Sequence, residues 1–236
     1  MKKVLTVAAS AAICTGIGYG INYRVWHPAP PKVELGKKHI ACIGDSITYG
    51  AGVHRKSARW EYFLQQELGT HYQVLNYGLS GRTLQDEGDW PYRKEPFFRI
   101  TQELAADIYI IMLGTNDSKP QNWDADRFAK QYREFVGVYQ HLENHPEIFI
   151  MVPPMCYPQK SGKIVYDISE RVISEEIRPF LHQFTQDNSI QSIDLHSFTK
   201  DHSEWFTDGV HPNQVGNRHI SGFVFENLFV SGTVDL

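Results

Sequence analysis

The sequence predicts an α/β fold, a flavodoxin-like three-layer α/β/α sandwich around a five-stranded parallel sheet. Three observations predict it. Short apolar runs alternate with longer segments whose apolar residues recur at helical spacing, and such alternation implies parallel strands with helices on both faces. Several apolar runs end in turns rich in Gly, Asn or Asp, at the carboxyl ends of strands where open α/β sheets place their chemistry. Once an N-terminal segment is set aside, about 200 residues remain, the size of one α/β domain with a full core.

The N-terminal segment starts Met1-Lys2-Lys3 and continues through residues 4–21 without a charge, rich in Ala, Gly and Ile. A basic start before an apolar run reads in two ways. It suits a signal peptide, because Gly16-Ile17-Gly18 and Gly18-Tyr19-Gly20 both put small residues at −3 and −1. It also suits an uncleaved anchor, because about 18 apolar residues approach the minimum that spans a bilayer. The anchor is favoured, with Lys2 and Lys3 on the cytoplasmic side and the remainder outside. Ile13 is too large for the position before a lipidated cysteine, so Cys14 is not read as a lipid site. Residues 1–21 are therefore expected to export the protein, which is held at the extracytoplasmic face of the membrane or secreted. Residues 22–36 carry Pro28, Pro30 and Pro31 and read as a short stiff tether. Residues 37–236 form the single domain, with no internal repeat.

Within that domain the elements follow in order. Residues 39–43 read as a buried strand and 57–68 as a helix stopped by Gly69. Residues 72–76 are the second strand, 95–104 a helix, and 108–113 a fully apolar third strand. Residues 126–142 form a long helix with Phe128, Tyr132, Phe135, Val136 and Tyr139 on one face. The fourth strand, 147–152, ends at Pro153-Pro154. A helix over 167–187 turns Ile168, Val172, Ile173, Ile177, Phe180, Leu181 and Phe184 to the core. The fifth strand is 190–195, and the closing helix, 212–229, has Pro212 in its first turn.

Composition narrows the function. Hydrophobic residues make up 42% and charged residues 21%, which is globular rather than disordered. The net charge of −4 comes with no basic block, which argues against a nucleic-acid partner. The three cysteines are Cys14 in the leader, Cys42 in a predicted strand and Cys156, so no disulfide framework is expected.

The chemistry centres on Gly44-Asp45-Ser46-Ile47-Thr48-Tyr49-Gly50. Ser46 falls just past a strand end in a glycine-flanked turn, where the backbone can approach a ligand and leave N–H groups for an anion. A serine alone is a poor nucleophile and needs a base, an orienter and oxyanion donors. His211, in Asp208-Gly209-Val210-His211-Pro212, is the candidate base, with Asp208 three residues earlier to hold its imidazole. Asn76-Tyr77-Gly78-Leu79-Ser80-Gly81 and Gly114-Thr115-Asn116-Asp117 each end an apolar run and offer backbone N–H groups and side-chain amides.

These four blocks, in this order, resemble those of the SGNH hydrolases, also called GDSL esterases and lipases, with Ile47 in place of the usual Leu. The resemblance spans residues 38–230. It implies the flavodoxin-like fold and a catalytic triad of Ser46 as nucleophile, His211 as base and Asp208 as its partner. It also implies an oxyanion hole made by the Ser46 and Gly81 N–H groups and the Asn116 amide. The choice of Gly81 over Gly78 rests on the resemblance alone. No metal or organic cofactor is implied.

Neighbouring residues read as structural. Asp45 braces the turn or caps the next helix, Asn76 hydrogen-bonds the loops together, and Asp117 holds the loop rather than doing chemistry. His196 and His202 are the rival bases. Strand-end loops carry Trp90, Tyr92, Trp123, Tyr157, Trp205 and Phe206 among polar residues. Together these rings suggest a carbohydrate O-acetyl ester as substrate, with Arg82 or Arg93 available to an acidic sugar's carboxylate. The loop after Asn116 resembles that of sialate and xylan O-acetylesterases. Competing readings are a lysophospholipase or thioesterase with a longer acyl groove, a non-catalytic carbohydrate-binding module, and a metallo-phosphoesterase using Asp45, Asp117 and Asp208.

Overall fold

The computed structural model describes residues 27–234. The proposed signal or anchor over 1–21, with Cys14, and the first part of the tether lie outside the described residues. The chain divides into two units, Met1–Pro30 and Pro31–Leu236, and the second contains the whole sheet.

The sheet has five strands in the order β2-β1-β3-β4-β5, all pairs parallel. They are β1 (Lys38–Gly44), β2 (Tyr72–Gly78), β3 (Ile108–Met112), β4 (Glu147–Val152) and β5 (Gln191–Asp194). Register aligns Gly44 with Gly78 on one side and Met112 on the other, so the first three strands end level. This is the order expected of a flavodoxin-like sheet, with its switch point between β1 and β3.

The strands are buried on both faces, and side chains alternate between two cores. Ala41, Ile43, Tyr109, Ile111, Ile150 and Val152 face one core with Phe128, Tyr132, Phe135 and Tyr139. Ile40, Cys42, Ile110, Met112, Phe149 and Met151 face the other with Trp60, Leu64, Ile220 and Val224. The first core is covered by α3 (Pro96–Leu104), α4 (Ala125–Gln140) and α5 (Arg178–Asn188); the second by α2 (Trp60–Leu68) and α7 (Gln214–Val230). α1 (Ser46–Tyr49) and α6 (Leu195–Phe198) are single turns at strand ends. Cys42 and Cys156 are free and buried.

Several boundaries differ from expectation. The helix expected from residue 57 splits into a 3-10 turn, Lys56–Ala58, and α2, because Arg59 is extended (φ −86°, ψ 154°). The helix expected from 167 starts at Glu170, capped by the Ser169 hydroxyl, because Tyr166 and Asp167 adopt positive φ. It runs through Glu170–Val172, a π-turn at Ile173–Ile177 and α5. The π-turn stands directly ahead of Pro179, which has no N–H to give the carbonyl four residues back and whose ring would crowd it. The closing helix starts later than Pro212, where the Asn213 side chain accepts from the Val215 and Gly216 N–H groups at 2.9 and 3.0 Å. The end of the expected tether is bound to the domain: Gln73 Nε2 donates to the Lys32 carbonyl at 2.9 Å, and Glu34 N to Gln73 Oε1 at 2.8 Å.

Candidate active site

Ser46 begins where β1 ends. The chain turns at once into α1, capped by Asp45, whose Oδ1 accepts from Ile47 N at 2.9 Å. Gly50, at φ 87°, stops it after one turn. First-turn N–H groups of a helix have no acceptor within it. α1 lies close on β2 because residue 78 is glycine; a Cβ there would sit 2.2 Å from Tyr49 N. Asn76 donates to the Thr48 carbonyl at 2.7 Å and to Glu61, and accepts from Gly78 N at 2.8 Å. It therefore stitches α1, α2 and β2 together, the bracing expected of it.

His211 reaches Ser46 from far along the chain. Its Nε2 lies 2.8 Å from Ser46 Oγ, and its Nδ1 lies 2.7 Å from Asp208 Oδ2. Asp208 is oriented by its own neighbours: Oδ1 accepts from Val210 N at 3.0 Å and His211 N at 2.8 Å. This local turn is why a three-residue spacing suffices. Partial burial pushes the Asp208 carboxyl up, but the hydrogen bonds and charge of His211 outweigh it and hold the group well below the usual carboxylate range. An ionised Asp208 keeps the imidazole proton on Nδ1 and leaves Nε2 to accept from the serine hydroxyl.

The loop bearing Asp208 is tied to its surroundings. Thr207 N donates to the His211 carbonyl at 2.8 Å, Thr207 Oγ1 to Gly52 O at 3.1 Å, and Tyr157 N to Gly209 O at 2.8 Å. Gly209 has φ 84°, and a Cβ on it would meet Tyr157 O at 2.1 Å.

The other two blocks converge on Asn116. Its Nδ2 lies 3.2 Å from the Arg82 carbonyl and 3.4 Å from Asp45 Oδ2, so it joins the Gly81 loop to the serine turn. Gly81 itself is left-handed at φ 78°. Asp117 accepts from Leu84 N at 2.9 Å and Gln85 N at 2.8 Å, the loop-holding role expected. Burial pushes its pKa up to about 6, against those two bonds. Burial likewise raises Asp45, against its bond from Ile47.

Asp45, Asp117 and Asp208 each spend oxygens on backbone N–H groups of different turns. Among the described residues no three His, Cys, Asp or Glu side chains gather as metal ligands. Neither rival base meets Ser46 through its imidazole in the bonds it makes. His196 is buried with Nε2 2.5 Å from Glu170 Oε1, while Glu170 Oε2 accepts from Cys156 N at 2.7 Å. His202 stacks on Trp205 at 3.8 Å and lies 3.1 Å from Glu204.

Two expectations about substrate contacts are corrected. Arg82 is fully buried and paired with Glu95 at 2.7 Å, so it braces its loop. Arg93 faces Asp86 and Glu134 at 3.7 and 3.9 Å and lies over Phe98. Of the six rings, Tyr92, Trp205 and Phe206 are buried, Trp123 donates to Glu176 at 2.8 Å and packs on Phe128, and Tyr157 packs on Phe206. Trp90 alone of the six is largely exposed. Tyr166 is a site residue that sequence reasoning misses. Its ring lies 5.4 Å from that of His211, and its hydroxyl donates to Asp208 Oδ2 at 3.3 Å. No pattern marks it, because left-handed backbone at a non-glycine residue leaves no trace in composition.

The family model of the GDSL-like lipase/acylhydrolase family matches residues 42–219. The chain is 32% identical to an acetylxylan esterase of Xylanibacter ruminicola, over 84% of this chain and 44% of that protein. It is 24% identical to a multidomain esterase of Ruminococcus flavefaciens, over 94% of this chain and 33% of that one. The chain thus spans less than half the length of either relative. A carbohydrate acetylesterase from Sinorhizobium meliloti superposes with TM-score 0.66 at 20% identity, covering 83% of this chain and all of that one. The native aryl esterase of M. smegmatis superposes with TM-score 0.65 at 23% identity, covering 82% and 99%. These two structures share the fold. The chain belongs to the GDSL-like lipase/acylhydrolase family.

Proposed function

We propose that this protein is a serine carboxylic ester hydrolase that removes small acyl groups, acetyl above all, from carbohydrate esters. The observation that carries the reading is the linked series Ser46 Oγ, His211 Nε2, His211 Nδ1 and Asp208 Oδ2, at 2.8 and 2.7 Å, at the carboxyl end of the sheet. The acetyl and sugar parts of the proposal are supported by the acetylxylan esterase relative.

In the proposed reaction, Ser46 Oγ attacks the ester carbonyl carbon as its proton passes to His211 Nε2. The carbonyl oxygen takes the electron pair and is held by the Ser46 and Gly81 N–H groups and the Asn116 amide. Asp208 stabilises the imidazolium. The C–O bond to the alcohol then breaks, and His211 gives that oxygen its proton. Water, deprotonated by His211, attacks the acyl-serine; its collapse releases the carboxylic acid and returns the proton to Ser46.

The test is hydrolysis of p-nitrophenyl acetate, butyrate and octanoate, with Ser46→Ala alongside. Rates falling steeply with chain length, and lost in Ser46→Ala, are expected. A preference for octanoate moves the substrate to a lipase or thioesterase class. Equal rates in both proteins overturn the triad. Export rests on the sequence of residues 1–21, and membrane fractionation of the full chain checks it.

A further inference from the structure

We infer that Tyr166 forms the wall of a subsite for the leaving alcohol and selects ring-shaped alcohols such as a pyranose. This rests on the esterase reading above and concerns the half of the substrate that the triad leaves unassigned.

Tyr166 is 58% exposed, more than the other exposed aromatic rings among the described residues, Trp90 and Tyr62 included. It is nevertheless not loose. Ile164 and Val165 before it pack against the first core, and Ile168 after it is buried. Ser169 N donates to Ser118 Oγ at 3.1 Å and the Ser169 side chain caps the next helix. Between these anchors Tyr166 and Asp167 hold φ of 61° and 58°. Two adjacent non-glycine residues in this region are strained and persist only where the surroundings impose them. Such strain is not repaid by core packing, since the ring stays in solvent.

Its position gives the reason. The Tyr166 ring meets the His211 ring edge to face, 66° apart, and its hydroxyl is donated to the Asp208 oxygen that His211 also uses. In the proposed reaction His211 hands its proton from Nε2 to the departing alcohol, and an exposed ring 5.4 Å from the imidazole is near enough to meet the body of an alcohol as large as a sugar. The oxyanion donors instead come from Ser46, Gly81 and Asn116. A rigid, half-exposed phenol ring there presents an apolar face on which the C–H face of a sugar can lie, with a polar tip held by Asp208.

The experiment compares kcat/KM for O-acetylated methyl β-xylopyranoside and for ethyl acetate in wild type, Tyr166→Ala and Tyr166→Phe. For Tyr166→Ala we expect the ratio of kcat/KM on the sugar ester to that on ethyl acetate to fall about tenfold, mostly through KM for the sugar ester, whatever loss the two esters share through the missing contact with Asp208. Tyr166→Phe, which keeps the ring and loses the hydroxyl, should retain the sugar preference. An equal loss on both esters in Tyr166→Ala, or none on either, overturns the subsite. Binding of the acetylated xyloside to Ser46→Ala, followed by calorimetry, supplies a readout that needs no turnover. Binding weakened about tenfold in Ser46→Ala/Tyr166→Ala supports the subsite even if the wild type proves inactive on both esters, whereas unchanged binding overturns it.

Discussion

The carboxyl groups of the serine side and of the histidine side of the site are shifted in opposite directions. On the serine side, Asp45, Glu61 and Asp117 are buried, and burial raises all three; Glu61 reaches about 7 and Asp117 about 6. On the histidine side, Asp208 is only partly buried, and hydrogen bonds and charge from His211 drive it down. The first set uses carboxyls as struts, accepting from Ile47, Asn76, Leu84 and Gln85. The second uses one carboxyl as a charge. Ionising a strut should therefore lower stability, while removing the charge of Asp208 should cost rate.

The sharpest expected effect is on that charge. Asp208→Asn keeps an oxygen for the Val210 and His211 N–H groups, so the turn survives. Its amide no longer holds the imidazole proton on Nδ1, and kcat is expected to fall about 10⁴-fold. Stopped assays on p-nitrophenyl acetate, with thermal melting alongside, check this. A large fall in melting temperature with little loss of rate would make Asp208 a strut like the others.

Next in size is Asn116→Ala. Losing one oxyanion donor typically costs about 10²–10³ in kcat, with little change in KM. Normal kcat would confine Asn116 to bridging the Arg82 carbonyl and Asp45.

A pair of glycines then separates the two sides mechanically. At Gly78 a Cβ meets backbone of the regular turn after Ser46, whereas at Gly209 it meets the carbonyl of Tyr157 in an irregular segment. Gly78→Ala should lower stability by about 1–3 kcal/mol, as overpacking does. Gly209→Ala, at φ 84°, should cost proportionally more activity, since it displaces the turn that aims Asp208. Denaturation midpoints and kcat measured on both variants decide; the same ratio of the two losses would erase the contrast.

The same contrast explains what the sequence could tell. The serine side is made of β1, β2, β3 and their immediate loops. Each strand is largely an apolar run, each turn contains glycine, and the polar residues sit in short blocks beside them, although Asn76, Asn116 and Asp117 bond across to other blocks. Those features are legible one segment at a time. Asp208 and His211 are legible for the same reason, being linked by a three-residue turn. The segment after β4 is different. Pro153-Pro154 ends the strand visibly, but the placement of Tyr166 depends on left-handed backbone held by distant packing, and the π-turn depends on how the helix accommodates Pro179. Arg82 shows the reverse error. A polar residue beside a candidate catalytic block looks available, yet pairing with Glu95, thirteen positions away, is invisible to local pattern.

The smallest effect tests the strut side directly, through Glu61. Its Oε1 accepts from Asn76, and its Oε2 has no hydrogen-bond partner among the described residues. Burial raises its pKa from 4.5 to about 7, so between those values the folded protein binds a proton that the unfolded chain has lost. Stability must then fall as pH rises through that window, by up to about 3 kcal/mol in all. Glu61→Gln removes the titration while keeping an oxygen for Asn76. Its new amide N–H lacks a partner, which subtracts a constant at every pH, so the change with pH is the informative quantity. Relative to wild type, the variant should gain stability steadily from pH 5 to pH 8 in chemical denaturation. Asp117 titrates in part of the same range in both proteins and cancels in that difference. A constant difference between the two curves would mean that Glu61 is ionised at pH 5 as well as at pH 8, and that the serine side tolerates a buried charge as readily as the histidine side does.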